Sequence, residues 1–246
     1  MMAIIIQARM SSTRLPGKIM KNLAGKPMLW HVVTRCLAAK SADKVIVATT
    51  VNSEDDVVEN FCKENNFLYS RGSLDNVLSR YYETAKKFGA DIVVRATSDC
   101  PLIDPKIIDL CVEVFQKSGA DYISNVVPGE RTFPRGLDVE VFKFSALEKA
   151  CRLASENYEK EHATPYIWEN KKNEFKIGAM IMAAPEYARN YRLTVDYPED
   201  FELIEKIYSK FFVPGKIISI PEALKFLDAS PDLLKINAHC EQKPLK

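Results

Sequence analysis

The N-terminal part of the chain concentrates positive charge. Seven cations and no anions precede Asp43, and three of the seven lie between residues 8 and 18. A short apolar run comes directly before this segment, which predicts a loop following the first strand. Backbone N–H groups and cations in such a loop can surround a polyphosphate, although a solvated basic loop is the alternative. The candidate binding residues of this loop are Ala8, Arg9, Ser12, Thr13, Arg14 and Lys18.

Two aspartates stand at the predicted ends of two other strands. Asp99 follows Thr97 and Ser98 in RATSDCP, and Asp196 follows RLTV. Because ligands of open α/β sheets bind at the carboxyl ends of the strands, both carboxylates are expected to face the basic loop. Oxygen ligands of this kind suit Mg²⁺, which completes its shell with water and phosphate. The alternative is a turn or a helix cap, since a proline follows two positions after each aspartate.

Further acidic residues lie in a segment that reads differently from the rest. Residues 126–143 contain Pro and Gly and then alternate apolar side chains with Asp138 and Glu140, which predicts an antiparallel excursion. The two carboxylates can reach a second substrate or a second metal ion, or they can simply face solvent. Leu137, Val139 and Val141 are expected to be exposed there and to favour a homodimer.

The elements that position these residues alternate between strand and helix. This order predicts an α/β fold with a doubly wound, mostly parallel sheet. The chain lacks a linker-like or low-complexity stretch, so a single domain over residues 1–246 is expected, with 209–246 as a C-terminal extension packed on it. Predicted helices begin near residues 27, 53, 77, 104, 145 and 198, and predicted strands cover residues 3–8, 44–49, 67–70, 91–96, 121–125, 175–184 and 192–195.

Composition excludes several classes of protein. The 246 residues are 47% hydrophobic and 27% charged, which argues against disorder, collagen and coiled coil. A net charge of +1 predicts neither nucleic acid nor an anionic membrane as partner. The N-terminal apolar run is too short for a signal peptide, and no stretch reaches the roughly 18 apolar residues of a spanning helix. Six cysteines without a C-x-x-C motif predict reduced thiols, a cytoplasmic protein and no zinc site.

Seven segments together carry a resemblance to a known family. They are IIIQARMSSTRLPGK, VATT, SRGSLDNVLSRYYE, RATSDCPLIDP, PRGLDVEVF, EHATPYI and RLTVDYPEDF. Their order resembles that of the SpsF-like cytidylyltransferases of surface polysaccharide biosynthesis, which are related to the CMP-Kdo and CMP-sialic acid synthetases. The resemblance covers residues 3–208. It implies a single GT-A-like (Rossmann-like) nucleotidyltransferase domain that joins CTP to a sugar or sugar-acid acceptor, releases pyrophosphate, uses Mg²⁺ and forms a homodimer.

The resemblance also implies roles for individual residues. Arg14 and Lys18 would act on the triphosphate, and Asp99 and Asp196 would hold the metal ion. Ser98 stands where relatives usually have Gly, which leaves the preference for cytosine open. His162 is a candidate general base, with a structural pair formed with Glu161 as the alternative. The nucleotide set is Ala8, Arg9, Ser12, Thr13, Arg14, Lys18, Arg71, Thr97 and Ser98, and the acceptor set is Arg135, Asp138, Glu140, Glu161 and His162.

Other function classes remain compatible with the sequence. A sugar-phosphate nucleotidyltransferase usually has G-x-G before its T-R-L, whereas this chain has Ala8, Arg9 and Met10 before the serines. A glycosyltransferase usually has Asp-x-Asp, whereas Asp99 is followed by Cys100. A non-catalytic nucleotide-binding protein is the third alternative, and the identity of the acceptor stays open in every case.

Overall fold

A six-stranded sheet forms the centre of the molecule. The computed structural model describes residues 1–127 and 130–243, and the sheet order within them is β3-β2-β1-β4-β6-β5. Strands β1 to β4 pair in parallel, while β6 runs antiparallel to both of its neighbours. The strands are β1 (Met2–Gln7), β2 (Lys44–Thr50), β3 (Leu68–Gly72), β4 (Ile92–Thr97), β5 (Tyr122–Ser124) and β6 (Glu140–Lys143).

Helices cover both faces of this sheet. The predicted starts near residues 27, 77, 104, 145 and 198 match observed helices, and the start near residue 53 matches a 3₁₀ turn that leads into a helix at Asp56. Gly89 and Gly119 end the helices over 77–88 and 105–118 in the left-handed conformation. The helices are α1 (Met28–Leu37), α2 (Asp56–Glu64), α3 (Val77–Phe88), α4 (Pro105–Ser118), α5 (Phe144–Leu153), α6 (Asn157–His162), α7 (Pro165–Glu169), α8 (Pro198–Phe211), α9 (Ile220–Asp228) and α10 (Pro231–Lys235). Among the described residues, no helix combines the length and the apolar character that crossing a membrane requires.

The apolar run of β1 explains why the sheet is covered on both sides. Ile4, Ile5 and Ile6 are fully buried, and because successive side chains of a strand point to opposite faces, they enter two different clusters. Ile4 and Ile6 join the larger cluster with α1, α2, α4, α8 and α9, whereas Ile5 joins the smaller cluster with α3, α5 and α7. The C-terminal helix α9 enters the larger cluster through Leu224 and Leu227.

Two predicted strands are wrong. Residues 175–184 attach to the sheet by one isolated parallel bridge between Ile177 and Tyr122, whereas residues 192–195 form one isolated bridge between Arg192 and Arg135, which lies outside the sheet. The 192–195 segment instead lies across the loops that leave the sheet, since the Val195 N–H donates to the Asp99 carbonyl at 2.8 Å. Its apolar residues Leu193 and Val195 are buried in the larger cluster, although the segment pairs with no strand of the sheet.

The excursion after β5 is antiparallel as predicted, but its apolar side chains are not exposed. A short hairpin pairs Val126–Val127 with Glu130–Arg131, and the chain then returns through β6. Leu137, Val139 and Val141 are fully buried in the larger cluster of the same chain. They therefore cannot supply the exposed apolar surface that the sequence argument for a dimer assumed. The predicted excursion includes residues 128 and 129, which lie outside the described residues.

Candidate active site

The basic loop after β1 is folded tightly onto the end of the sheet. The N–H groups of Ser12 and Gly17 both donate to the Met10 carbonyl, at 2.8 and 3.1 Å. Gly17 adopts a left-handed backbone (φ 66°) and begins a 3₁₀ turn over Lys18–Met20. The buried carboxylate of Asp55 anchors the loop by accepting the Met10 N–H at 2.7 Å. The loop is therefore held by backbone contacts, which leaves its cationic side chains to face the site.

Lys18 joins the two aspartates predicted from the ends of strands. Its ammonium group donates to the Val195 carbonyl at 2.6 Å and to Asp196 Oδ1 at 2.9 Å, and it lies 3.6 Å from Asp99 Oδ2. The Lys18 side chain is only 11% exposed and that of Asp196 only 8% exposed. Two carboxylates from distant parts of the chain therefore converge on one cation position.

Arg14 approaches the same carboxylate from the loop. Its Nη2 lies 2.9 Å from Asp196 Oδ1, and its guanidinium carbon lies 4.8 Å from the centre of the Tyr197 ring. The other terminal nitrogen, Nη1, and the hydroxyl of Ser11 are buried without a hydrogen-bond partner in the described structure. Buried polar atoms are normally satisfied, so these two atoms point to a polar ligand in the loop.

A second arginine, which sequence reasoning missed, holds Asp196 from the opposite side. Arg192 Nη2 lies 3.0 Å from Asp196 Oδ2, and its Nε donates to Asp200 Oδ1 at 2.8 Å. Asp200 is fully buried and also accepts the N–H groups of Asp196 and Tyr197. This network fixes the direction of the Asp196 carboxylate. The signal for this network in the sequence was the segment RLTVDYPEDF, which contains Arg192, Asp196, Tyr197 and Asp200.

The charge of Asp99 is stabilised in spite of its burial. Burial acts to raise the pKa of this carboxyl, but Lys18 and hydrogen bonds from Thr97 and Cys100 outweigh it and hold the pKa below its usual value. Burial and the Asp99 charge both raise the pKa of the Cys100 thiol well above its ordinary value. Asp99 is therefore an anion at neutral pH, and Cys100 remains a protonated thiol unsuited to nucleophilic attack.

Comparison with known proteins decides the family. The sequence profile described as cytidylyltransferase matches residues 3–226. The chain belongs to the cytidylyltransferase family. The spore coat polysaccharide biosynthesis protein SpsF of Bacillus subtilis is 33% identical over 237 residues, which cover 93% of this chain and 94% of that protein. The resemblance seen in the seven segments is thereby confirmed.

Solved structures agree with the predicted fold. A cytidylyltransferase from Leptospira borgpetersenii has a TM-score of 0.86 at 35% identity, and the match covers 99% of this chain and 98% of that one. The synthetase of CMP:2-keto-3-deoxy-manno-octonic acid, solved in complex with CTP, has a TM-score of 0.63 at 19% identity and covers 85% of this chain and 98% of that one. The second likeness concerns the fold alone. Together with the sheet order, these matches confirm the Rossmann-like nucleotidyltransferase architecture.

The remaining residues predicted for the nucleotide lie in or beside the basic loop. Arg9 and Thr13 are exposed, while Ser12 is half-buried. Ala8 continues the β1 pairing, since its N–H donates to the Ala48 carbonyl at 3.1 Å. Ser98 is buried, and its N–H donates to the Gln7 carbonyl at 3.1 Å. Backbone hydrogen bonds therefore join the ends of β1, β2 and β4 where the loop begins.

Arg71 has a different environment from the other predicted nucleotide residues. It lies near the end of β3, where its guanidinium donates to the Thr50 carbonyl at 2.7 Å and the Asn52 carbonyl at 2.8 Å. It also pairs with Asp56 at 2.6 Å and with Glu59 at 2.7 Å. These contacts give Arg71 a structural task, which is to fasten the turn after β2 to α2. Its contact with a nucleotide stays a prediction.

The acidic residues predicted for the acceptor side are paired with arginines. Glu140 forms an ion pair with Arg95 and accepts the Tyr122 hydroxyl at 2.9 Å. Asp138 accepts from Arg131, with 2.9 Å between Oδ2 and Nη2. Neither carboxylate faces solvent freely, which was the alternative reading of this strand. Both sit in mixed-charge networks that can orient polar groups of a substrate.

Arg135 is held against the 192–195 segment by the backbone. Its N–H donates to the Tyr191 carbonyl at 2.8 Å, and its carbonyl accepts the Leu193 N–H at 2.7 Å. The next residue, Gly136, has φ 101°, and a Cβ atom there would lie 2.6 Å from the Leu193 carbonyl carbon. Glycine is required at this position because no side chain fits. The close approach brings Arg135 near the arginines and carboxylates of the site, including Asp196.

His162 lies at an unusual turn. Ala163 has φ 69° and ψ −43°, and the Thr164 N–H donates to the His162 carbonyl at 2.9 Å, which defines a γ-turn. Burial lowers the pKa of His162. The charge of Glu161 acts to raise this pKa and the charge of Arg95 to lower it further, and the imidazole is neutral at pH 7. Glu161 is exposed, and no side-chain hydrogen bond joins it to His162 among the described residues. The neutral ring has the protonation state that a general base needs.

Proposed function

We propose that this protein transfers CMP from CTP to a hydroxyl group of a sugar or sugar acid and releases pyrophosphate, as a step in building a cell-surface polysaccharide or glycan. The observation that carries the proposal is the convergence of Asp99, Asp196, Lys18 and Arg14 at one position. Family membership supports the cytidylyltransferase reaction. The relative SpsF is a spore coat polysaccharide biosynthesis protein, which supports the kind of pathway.

The triphosphate would be bound by the basic loop. Arg9, Ser12 and Thr13 are close in sequence to the buried, unpartnered atoms of Ser11 and Arg14, which are suited to phosphate oxygens. Lys18 and Arg14 would stabilise the negative charge of the leaving pyrophosphate. Nucleotidyl transfer needs little covalent chemistry from the protein, so positioning and charge neutralisation account for most of its contribution.

Asp99 and Asp196 would hold one Mg²⁺ ion. The donor set fits this ion because both groups are carboxylates and both already reach a single cation, the ammonium of Lys18. When bound, Mg²⁺ would neutralise charge on the α-phosphate and lower the pKa of a bound hydroxyl. Arg192 would keep the second oxygen of Asp196 in place.

The acceptor would lie beside Arg135, Asp138, Glu140, Glu161 and His162. Its hydroxyl oxygen would attack the α-phosphorus in line with the departing pyrophosphate, and the hydroxyl proton would pass to solvent or to the neutral imidazole of His162. No protein nucleophile is needed, which agrees with the raised pKa of the Cys100 thiol. Thr97, Ser98, Ala8 and Arg71 would contribute on the side of the nucleoside.

We propose that the reaction takes place in the cytoplasm, where thiols stay reduced. All six cysteines of the chain are free thiols, two of them half-buried and four buried. We also propose that the protein forms a homodimer, because the family resemblance implies one. Light scattering at micromolar concentration is expected to give twice the mass of the chain, and a monomer would remove this part.

The experiment that tests the reaction offers the protein each of the four nucleoside triphosphates with Mg²⁺ and a panel of sugar and sugar-acid acceptors. Pyrophosphate release and a CMP-linked product, identified by mass, are expected with CTP. Asp99→Asn serves as the inactive control. Faster turnover with ATP or GTP would overturn the choice of base, and nucleotide binding without any product would favour the non-catalytic alternative.

A further inference from the structure

Three side chains with metal-binding groups meet on the rim of the candidate active site without belonging to it. Glu199 lies in the first turn of α8, while His239 and Cys240 follow α10 near the C-terminus. One ligand atom from each of the three lies within 4.8 Å of the other two. The His239 ring is 66% exposed and the Glu199 side chain is 41% exposed, so an ion can enter from solvent.

The contact between these side chains is not a closed hydrogen-bonded pair. His239 Nε2 lies 3.6 Å from Glu199 Oε1, which is too long for a hydrogen bond. Donors that bind one zinc ion tetrahedrally at about 2.0 to 2.3 Å lie roughly 3.5 Å apart. Small rotations of the two exposed side chains are therefore enough to bring all three donors onto one ion.

The donor chemistry selects the kind of metal. A thiolate, an imidazole and a carboxylate together suit Zn²⁺ and related first-row transition ions, whereas Mg²⁺ prefers oxygen ligands. The pair formed by Asp99 and Asp196 has the opposite preference because it offers only oxygen. The two places are thus chemically distinct, although they lie on neighbouring parts of the same rim.

We propose that Glu199, His239 and Cys240 bind one Zn²⁺ ion, with solvent as the fourth ligand. This site is separate from the proposed Mg²⁺ site and does not depend on the proposed reaction. The spacing of cysteines in the sequence predicted no zinc site, because Glu199 is far from the other two ligands along the chain and only folding joins them. The adjacent His239 and Cys240 were the one local signal.

The site would fasten the C-terminal segment to the candidate active site. Asn237 Nδ2 donates to the Arg192 carbonyl at 3.0 Å and to Asp200 Oδ1 at 2.8 Å. Arg192 Nη1 in turn donates to Gln242 Oε1 at 3.0 Å. Asn237 and Gln242 flank the His239–Cys240 pair, so an ion bound there would restrain both contacts. Arg192 also holds Asp196, and the ion would therefore stabilise the geometry of that carboxylate.

The test uses the full-length protein after removal of metal with a chelator. Titration with Co²⁺ is expected to produce a thiolate-to-metal charge-transfer band that stops growing at one equivalent of Co²⁺ per chain. Calorimetry with Zn²⁺ is expected to show one binding site per chain. Cys240→Ser should abolish the band. Both Cys240→Ser and His239→Ala should weaken Zn²⁺ binding by at least about 10-fold, because the loss of a residue that only supports a metal ligand already lowers metal affinity by about that factor. Cys151→Ser is the matched control, since Cys151 is the other half-buried cysteine and should leave band and affinity unchanged.

A second measurement follows the C-terminal segment itself. Hydrogen exchange of the amides of residues 237–243 should slow when Zn²⁺ is added to the native protein and to Cys151→Ser, but not in Cys240→Ser. Asp99→Asn should keep the Co²⁺ band even though it lacks the proposed Mg²⁺ ligand, which separates failure of this site from failure of the proposed function. An unchanged Zn²⁺ affinity in Cys240→Ser, a band that disappears in Cys151→Ser, or no band in the native protein would overturn the proposal.

Discussion

At the scale of single residues, the candidate active site is an arrangement of alternating charges. Two carboxylates, Asp99 and Asp196, are neutralised by Lys18, Arg14 and Arg192 at distances between 2.9 and 3.6 Å. Buried charges are costly unless they are paired, so each member depends on the others. The unpartnered Nη1 of Arg14 is the exception, which is consistent with a site completed by an anionic ligand.

Removal of either loop cation is expected to weaken binding of CTP. A hydrogen bond to a charged group contributes about 1.5 to 3 kcal/mol, so Lys18→Ala and Arg14→Ala should each raise the dissociation constant roughly 10- to 150-fold. Lys21→Ala is the matched control, because Lys21 is an exposed cation just beyond the same loop. Calorimetry with CTP measures the effect. Unchanged affinity in both variants, with the same melting temperature as the native protein, would contradict a role in binding the triphosphate.

The two aspartates are expected to act as one unit. Because both would ligate the same Mg²⁺, Asp99→Asn already disables the metal site, and Asp196→Asn in the same chain should remove little more. The double variant should therefore turn over at the rate of the slower single variant across a Mg²⁺ titration. Additive losses that follow the melting temperature would indicate two independent structural residues instead. Melting without added metal is the control for folding.

At the scale of elements, loops and helix starts hold the site in place. Strands β1 and β4 deliver the basic loop and Asp99 to one edge, since parallel neighbours end at the same side of a sheet. The segment 192–195 reaches that edge without joining the sheet. It is held by the close approach of Gly136 to Leu193 and by the bond between Val195 and Asp99. The precision of the site therefore rests on these loop contacts.

Helix α1 carries a buried histidine that should make stability depend on pH. His31 Nε2 donates to the Leu23 carbonyl at 2.7 Å, and its ring packs on Tyr208 of α8. Burial lowers the pKa of His31 below 6.5, so protonation favours the unfolded chain. Its contribution to stability is fully present above about pH 6.5 and is lost as the pH falls from there through the lowered pKa of the folded state.

The melting temperature should accordingly fall between pH 7.5 and pH 5.5. His31→Gln keeps a neutral N–H donor and should reduce this dependence. His162, whose pKa is also lowered, adds a second contribution of the same sign, so His162→Gln is measured in parallel. A pH dependence identical to the native one in His31→Gln would show that this residue is not responsible.

At the scale of the whole molecule, the C-terminal part shares its core with the first strand of the sheet. Leu224 and Leu227 of α9 are fully buried in the cluster that also contains Ile4 and Ile6 of β1. The segment beyond α10 continues to the site through Asn237. These contacts support our proposal that residues 1–246 form a single folding unit.

Leu224→Ala tests this unit. Leucine-to-alanine changes at buried positions cost about 2 to 5 kcal/mol, and in a single domain the loss should move one cooperative unfolding transition without splitting it. The exposed Leu37→Ala is the control and should change the melting temperature little. Calorimetry and circular dichroism should report the same midpoint. Two separated transitions, of which only one shifts in Leu224→Ala, would contradict a single domain.

Most of the architecture and part of the site could be predicted from the amino-acid sequence. Periodicity located the parallel strands, the helix starts and the loop, because these depend on residues close together along the chain. Asp99 could be assigned to one edge of the sheet, since strand ends in an α/β sheet gather there by topology. Asp196 reaches the same edge, but it does not follow a strand as the sequence predicted. The strand prediction failed for residues 192–195, because an alternating apolar pattern indicates that a segment is half-buried but does not identify the elements that cover it.

Which charged side chains face each other could be seen only in the folded structure. Lys18 between the two aspartates, Arg192 on Asp200, and Glu199 beside His239 and Cys240 all join residues that are far apart or have no characteristic spacing. The burial of Leu137, Val139 and Val141 was likewise set by neighbours from other elements rather than by their alternation. Local sequence sets the conformation of each element, whereas ion pairs and metal sites depend on distances that exist only after the elements have packed.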